Sequence, residues 1–90
     1  MVTIADIETC RGMQPEIQPG DRLVIERNVN IKENDIVLLL LNGEPKLSRI
    51  KFIQSGAWLM FTNPAYLAEF IPAVDKIRII GKVTQRIRSF

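Results

Sequence analysis

The segment 35-DIVLLLLNG-43 decides the fold of this 90-residue chain. Its apolar run Ile36–Leu41 is far shorter than the roughly 20 residues that cross a bilayer, and it is apolar on both faces, as expected of a central strand. Asn42-Gly43 follows directly, and this dipeptide is the strongest short-range signal for a β-hairpin. The segment therefore predicts a buried strand that turns back into a second strand.

Further strands are predicted on either side of this hairpin. Residues 44–52 alternate between two faces, and Ala57 to Thr62 forms the next extended run after a Gln-Ser-Gly turn. A short strand is expected within residues 2–7, and Leu23 and Ile25 mark another. From Ile77 to Ile87 apolar and basic residues alternate, with Gly81 predicting a bulge. Without a convincing amphipathic helix, the chain is predicted to be one mainly β domain, residues 1–90, with a twisted, partly closed antiparallel sheet.

Composition excludes several kinds of chemistry. The chain has no histidine and one cysteine, Cys10, so serine–histidine catalysis, histidine-ligated zinc and an internal disulfide are all ruled out. We expect no metal and no cofactor. The first ten residues lack the features of a signal peptide, which predicts a cytoplasmic protein without membrane association.

A motif near the N-terminus carries a family resemblance. Residues 12–21, GMQPEIQPGD, resemble the signature of the C-terminal domain of LexA and phage repressors, the LexA-like serine peptidase family. The motif positions are Met13, Pro15, Pro19, Gly20 and Asp21, and the likeness continues in order through residues 34–37, 43–44, 47–50, 63–66 and 80–83. Arg49 belongs to the third of these segments, residues 47–50.

The resemblance also implies that both catalytic residues are absent. Active members use a Ser directly before the motif Met and a Lys on a later strand, and these positions are Gly12 and Ser48 here. Active members cut an Ala-Gly or Cys-Gly bond in their own chain, and this sequence contains neither dipeptide. A displaced pair, Cys10 and Lys46, is the alternative; in an extended chain Cys10 would lie roughly 6 to 7 Å from position 12, too far for direct substitution.

In relatives this domain joins subunits, which implies a homodimer or higher oligomer that binds DNA indirectly through a helix-turn-helix domain outside this chain. The last strand is the predicted contact, as an edge strand presenting Ile77, Ile79, Val83 and Ile87, with Phe90 adding apolar surface. The basic residues Lys76, Arg78, Lys82, Arg86 and Arg88 are interpreted as a solvated strand face, with contact to DNA phosphates as the alternative. The aromatic residues Trp58, Phe61, Tyr66 and Phe70 are interpreted as core or interface anchors.

The favoured hypothesis is a catalytically inactive oligomerisation and regulatory domain of a prophage-type or stress-linked transcriptional repressor, with a regulatory protein as a further partner. An autopeptidase with a displaced or disabled Ser/Lys pair is the second hypothesis. A module that binds an extended peptide in the vacated cleft is the third.

Overall fold

The computed structural model describes residues 1–72 and 74–88. About half of these residues lie in seven strands: β1 (Val2–Ile4), β2 (Arg22–Glu26), β3 (Ile36–Leu41), β4 (Glu44–Ile53), β5 (Gly56–Met60), β6 (Glu69–Ile71) and β7 (Ile77–Ile87). One short helix, α1 (Ile7–Cys10), leads into a 3-10 turn over Arg11–Met13, and a second 3-10 turn covers Val74–Lys76.

All seven strands form one antiparallel sheet, in the order β1-β2-β7-β3-β4-β5-β6. The predicted mainly β, antiparallel class is confirmed. The sheet is open rather than closed, because β1 and β6 stand at opposite ends of the strand order. The long strands β3, β4 and β7 occupy the interior, and short strands form both edges.

The β3–β4 hairpin is formed as the sequence predicts. Leu41 pairs with Glu44, which leaves Asn42 and Gly43 as a two-residue turn. Both turn residues have positive φ, 53° and 85°, which is the backbone that this type of tight hairpin requires. The turn thereby sets the register of the whole hairpin, up to the pairing of Ile36 with Arg49.

Two apolar cores lie on opposite faces of β3. The helix-side core consists of Ala5, Cys10, Met13, Ile17, Leu23, Ile25 and Leu47, with Ile36 and Leu38 packed against it. The opposite core consists of Val37, Leu39, Ile50, Ala57, Leu59 and Ile71. Alternate residues of β3 therefore enter different cores, which explains why this strand is apolar at every position.

The N-terminal prediction was wrong beyond Ile4, because α1 begins at Ile7. Asp6 caps this helix by accepting a hydrogen bond from the Thr9 amide at 2.7 Å. Cys10 closes the helix and is fully buried in the helix-side core. Helix α1 was missed because four residues are too few to show a helical hydrophobic period, and β6 is equally short.

The prediction that β7 is an edge strand was also wrong. β7 lies between β2 and β3, so that Ile77 pairs with Leu41, Ile79 with Leu39 and Val83 with Ile25. The bulge expected at Gly81 is present, because Leu38 pairs with Gly81 and the next residue, Leu39, pairs with Ile79. A Cβ atom on Gly81 would lie 2.6 Å from the carbonyl oxygen of Glu26, so glycine allows β2 to approach closely here.

Candidate functional site

The segment 12–21 lies across the helix-side face of the sheet. Met13 and Ile17 are buried in the helix-side core, and the amide of Ile17 donates to the carbonyl of Met13 at 2.9 Å. Gly20 turns the chain with φ of 92°, and its amide donates to the carbonyl of Ala5 at 2.8 Å. The segment is thus held by apolar anchors and backbone bonds.

Gly12 lies directly beneath the ring of Phe61. A Cβ atom at position 12 would lie 2.6 Å from Cδ1 and 3.1 Å from Cε1 of Phe61, well inside van der Waals contact. The loop after β5 holds this arrangement, because the Asn63 amide donates to the Gly12 carbonyl at 2.9 Å and its side chain donates to the Arg11 carbonyl at 3.0 Å. The aromatic ring therefore occupies the space that a side chain at position 12 would enter.

Ser48 lies on β4 opposite Val37 and is fully buried. Its hydroxyl oxygen has no hydrogen-bond partner within the part of the chain that the structure describes. Because Ser48 shares a strand face with Ile50, its side chain belongs to the face of the opposite core. A buried hydroxyl without a partner is destabilising, because its desolvation is not compensated by a hydrogen bond.

Cys10 and Lys46 lie in different surroundings, since Cys10 is buried in the helix-side core and Lys46 lines a surface groove. Burial raises the pKa of the Cys10 thiol, so the nucleophilic thiolate is disfavoured. The extended geometry that was assumed for Cys10 is also wrong, since this residue ends α1. Lys46 lines a groove of about 330 Å³ together with Gly12 and Phe61, and its Nζ lies 4.0 Å from a carboxylate oxygen of Glu69.

Asp21 fastens the motif to the end of β7. Asp21 is 2% exposed and accepts a hydrogen bond from the Gln18 amide at 2.9 Å. Its carboxylate also accepts hydrogen bonds from Nε and Nη2 of Arg88, each at 2.9 Å. The hydrogen bonds from Arg88, the Gln18 amide and the positive charge of Arg88 together lower the pKa of Asp21 to about 2, against the opposing effect of burial. The buried carboxylate is therefore ionised and paired at neutral pH.

Arg49 ties the motif to β4. Its Nη2 donates to both carboxylate oxygens of Glu16, at 3.1 and 2.9 Å, and its Nη1 donates to the hydroxyl of Thr62 at 2.9 Å. Thr62 in turn donates to Glu16 at 2.7 Å. Burial raises the pKa of Glu16, but the hydrogen bonds from Arg49 and Thr62 and the charges of Arg49 and Arg86 outweigh it, so the net shift is downward. Sequence reasoning singled out Arg49 but missed both of its partners.

Comparison with known proteins identifies the family to which this domain belongs. The model of the peptidase S24-like family matches residues 10–84. The chain belongs to this family. It is 32% identical over 72 residues to the LexA repressor of Oleidesulfovibrio alaskensis, covering 80% of this chain and 35% of that protein. It is 34% identical over 76 residues to the LexA repressor of Streptomyces coelicolor, covering 84% of this chain and 31% of that protein. The resemblance to LexA is confirmed, and the chain spans about a third of the length of these repressors.

Within this S24-like domain, most of the basic residues near the C-terminus bind groups of the protein itself. Lys82 lies 3.2 Å from Asp35, Arg86 donates to the Glu16 carbonyl, and Arg88 pairs with Asp21. Three of the five basic residues that were considered for binding DNA phosphates therefore contact groups of the protein itself. The arrangement favours the interpretation of this strand face as structural.

The predicted self-association residues are dispersed in the S24-like fold. Ile77 and Ile79 pack against the opposite core, and Val83 packs against the helix-side core. Ile87 is 48% exposed, while Phe90 lies outside the described residues. Of the four residues on β7, Ile87 thus offers substantial free apolar surface.

The aromatic residues separate into two pairs. Phe61 lies 6.0 Å from Tyr66, and Trp58 lies 5.1 Å from Phe70 on the outer strands, measured between ring centroids.

Among the described residues, no cluster of His, Cys, Asp or Glu could hold a metal ion, and no helix is long and apolar enough to cross a membrane.

Proposed function

We propose that this chain is the oligomerisation and regulatory domain of a LexA-type transcriptional repressor, prophage-type or stress-linked, and that it does not cleave peptide bonds. Membership of the S24-like family and identity to LexA repressors support the regulatory part of this proposal. DNA binding would then belong to a helix-turn-helix domain outside residues 1–90, with this domain bringing two such domains together.

The observation that carries the non-catalytic part is the position of Phe61 over Gly12. Peptidase chemistry of this family requires a serine hydroxyl at position 12 and a neutral lysine at position 48 to remove its proton. Position 12 has no side chain, and the Phe61 ring fills the adjacent space, with Cδ1 2.6 Å from a Cβ at that position. Position 48 carries a buried serine instead of a base. Neither half of the reaction has a group to perform it.

The displaced pair of Cys10 and Lys46 is the competing enzymatic hypothesis. Cys10 is fully buried in the helix-side core, whereas Lys46 lines the groove and faces Glu69. A thiol inside the core has no access to a substrate in that groove. These positions argue against the displaced pair.

A peptide-binding role is supported by the groove itself. About 330 Å³ remains open beside Gly12, bordered by Tyr66, Leu67 and the Lys46–Glu69 ion pair. This volume would accommodate a few side chains of an extended segment. A regulatory protein partner that inserts such a segment is consistent with the repressor proposal.

Two measurements test the proposal. Intact mass spectrometry after prolonged incubation at pH 7 and pH 10 should give an unchanged mass, because high pH deprotonates lysine and would accelerate any Ser/Lys-type cleavage. A defined cut that persists in wild type and disappears in Cys10→Ala and Lys46→Met would establish the displaced pair and overturn the non-catalytic proposal.

The oligomerisation part is tested separately, by sedimentation equilibrium from micromolar to hundreds of micromolar protein. A reversible dimer or larger species is the expected result. A monomer at every concentration would refute self-association as a function of these 90 residues. That result would favour the hypothesis that the groove binds a different protein.

A further inference from the structure

The first residues of β7 have a neighbouring strand on one side. β2 ends at Glu26, which pairs with Lys82, so the part of β7 before Lys82 extends beyond the end of β2. On the opposite side, β3 pairs with β7 as far as Ile77. Within the described residues 1–72 and 74–88, no strand continues the row of β2 beside residues 77–80. These four residues span about 13 Å, at about 3.3 Å each.

Two residues of this segment direct their backbone groups into the vacant row. The amide of Asn42 donates to the carbonyl of Lys76 at 3.1 Å, so Lys76 is hydrogen-bonded towards β3. Because successive residues of an antiparallel strand alternate between its two sides, Arg78 also faces β3, whereas the amides and carbonyls of Ile77 and Ile79 face away from it. Among the described residues, no backbone group pairs with Ile77 or Ile79 on that side.

The loop after β2 leaves this row open. Asn28 has a φ of 59°, in the left-handed region, which turns the chain out of the direction of β2. A notch of about 240 Å³ lies between loop residues 27–31 and the edge of β7. Val29 contributes to the loop wall of the notch, and Ile79 contributes to the wall formed by β7. The notch is therefore bounded by the end of β2 and the bulged half of β7.

The charged groups around the notch are mostly cationic. Arg27, Arg78 and Lys82 line it, together with one carboxylate, that of Glu26. Lys82 lies 3.2 Å from Asp35, which compensates its charge. Arg27 and Arg78 form no ion pair with any carboxylate in the part of the chain that the structure describes. The notch therefore favours a negatively charged occupant.

We propose that this notch binds an extended, acidic segment of a partner protein, which adds a strand to β7 in the vacant row of β2. The backbone of the segment pairs with Ile77 and Ile79, as in other cases of strand addition to a sheet edge. The side chains of these isoleucines face the opposite core, so Arg78 projects from the other face of the strand. The segment therefore alternates apolar residues beside the isoleucines with carboxylates beside Arg78.

A strand accounts for more of the notch than a small anion does. An anion would bind the guanidinium groups of Arg27 and Arg78 but would leave the outward amides and carbonyls of β7 without partners. An added strand satisfies both kinds of group. This surface is separate from the groove beside Gly12, and it goes beyond the proposed function, since neither self-association nor loss of cleavage requires it.

Calorimetric titration of the 90-residue protein with acetyl-Glu-Val-Glu-Val-Glu-Val-amide tests the proposal. Saturable binding of one peptide per chain is the expected result. Two control peptides separate charge from backbone pairing. The lysine analogue, with every glutamate replaced, should not bind. The acidic peptide with N-methylated valines keeps its charge but cannot donate hydrogen bonds to the isoleucine carbonyls, and it should bind at least tenfold more weakly.

Charge-reversal variants test the location. Arg78→Glu and Arg27→Glu should each weaken binding of the acidic peptide about tenfold. Arg22→Glu makes the same change in charge at the far end of β7, where Arg22 pairs with Ile87, and should change the affinity little. All three side chains are exposed, so thermal unfolding should remain similar to wild type.

Amide hydrogen exchange gives a residue-specific measurement of the pairing. Saturation with the acidic peptide should slow exchange at Ile77 and Ile79 at least tenfold, because their amides become hydrogen-bonded. The amide of Arg78 already faces β3 and should exchange at the same rate with and without peptide.

Each contrary outcome overturns a defined part of the proposal. Equal binding of the N-methylated peptide, or full displacement of the acidic peptide by inorganic phosphate, would indicate an anion site only and would refute strand addition. No binding at millimolar acidic peptide, or binding unchanged in both Arg27→Glu and Arg78→Glu, would refute the notch as the site. Cleavage and self-association are measured without peptide, so these outcomes leave the proposed function untouched.

Discussion

Replacing Gly12 by alanine probes the close contact between position 12 and the ring of Phe61. The added Cβ would lie 2.6 Å from Cδ1 of Phe61, and carbon atoms prefer about 3.5 Å or more, so the ring must retreat by about 1 Å. Overpacking of this kind costs about 1–3 kcal/mol. The φ angle at position 12 is not positive, so alanine can adopt the same backbone conformation as glycine. Alanine also lowers the conformational entropy of the unfolded chain, which stabilises the folded state by about 0.4–1 kcal/mol. We expect a net loss of about 1–2 kcal/mol in the free energy of unfolding.

Urea unfolding of a double-mutant cycle isolates this contact. Phe61→Leu shortens the side chain above position 12, so Gly12→Ala should be neutral or slightly stabilising in that background. The two substitutions should then show a coupling energy of about 1–2 kcal/mol, as neighbours in contact do. If Gly12→Ala were neutral or stabilising while Phe61 is present, the claim that the ring fills this space would be refuted. Gly12→Ser should behave like the alanine variant and should not confer cleavage, since position 48 still lacks a base.

Three further predictions follow from buried groups and close contacts. The pKa of Asp21 is lowered from 3.8 to about 2 in the folded protein. The ionised carboxylate therefore stabilises the fold fully above pH 4, and this stabilisation is lost as the pH falls towards 2. Because the Arg88 side chain is 40% exposed, we expect the stabilisation to be about 1 kcal/mol. Acid unfolding followed by circular dichroism should show this loss in wild type and a smaller one in Arg88→Met. Ser48→Ala removes a buried hydroxyl without a described partner and should raise the midpoint of urea unfolding, by about 1 kcal/mol; a lower midpoint would indicate that this hydroxyl has a partner. Gly81→Ala brings a Cβ to 2.6 Å from the backbone oxygen of Glu26, which cannot rotate away, so the loss in thermal stability should exceed that of Gly12→Ala.

Local sequence signals were sufficient for the long strands. The Asn42-Gly43 turn and the apolar run before it predicted the β3–β4 hairpin and its two-sided burial. Alternation likewise predicted β7 and its bulge at Gly81. The short elements α1 and β6 were missed, because three or four residues contain less than one full hydrophobic period and tertiary contacts decide their conformation.

The candidate site was predictable in its residue types and not in its contacts. From the order of the motifs, Gly12 and Ser48 are predicted to stand at the two catalytic positions of the family. No local pattern indicated that Glu16 and Thr62 would bind Arg49, because the residues of this cluster are up to 46 positions apart in the chain. The same separation hid the partnership of Asp21 with Arg88, 67 positions apart.

By itself, the sequence determined the fold class and the family, because these depend on residue types and short spacings. The tertiary structure alone decided that Phe61 covers Gly12 and that β7 is an interior strand, between β2 and β3. Strand order depends on which distant segments pair, and that pairing is set by the packing of two cores rather than by any local pattern.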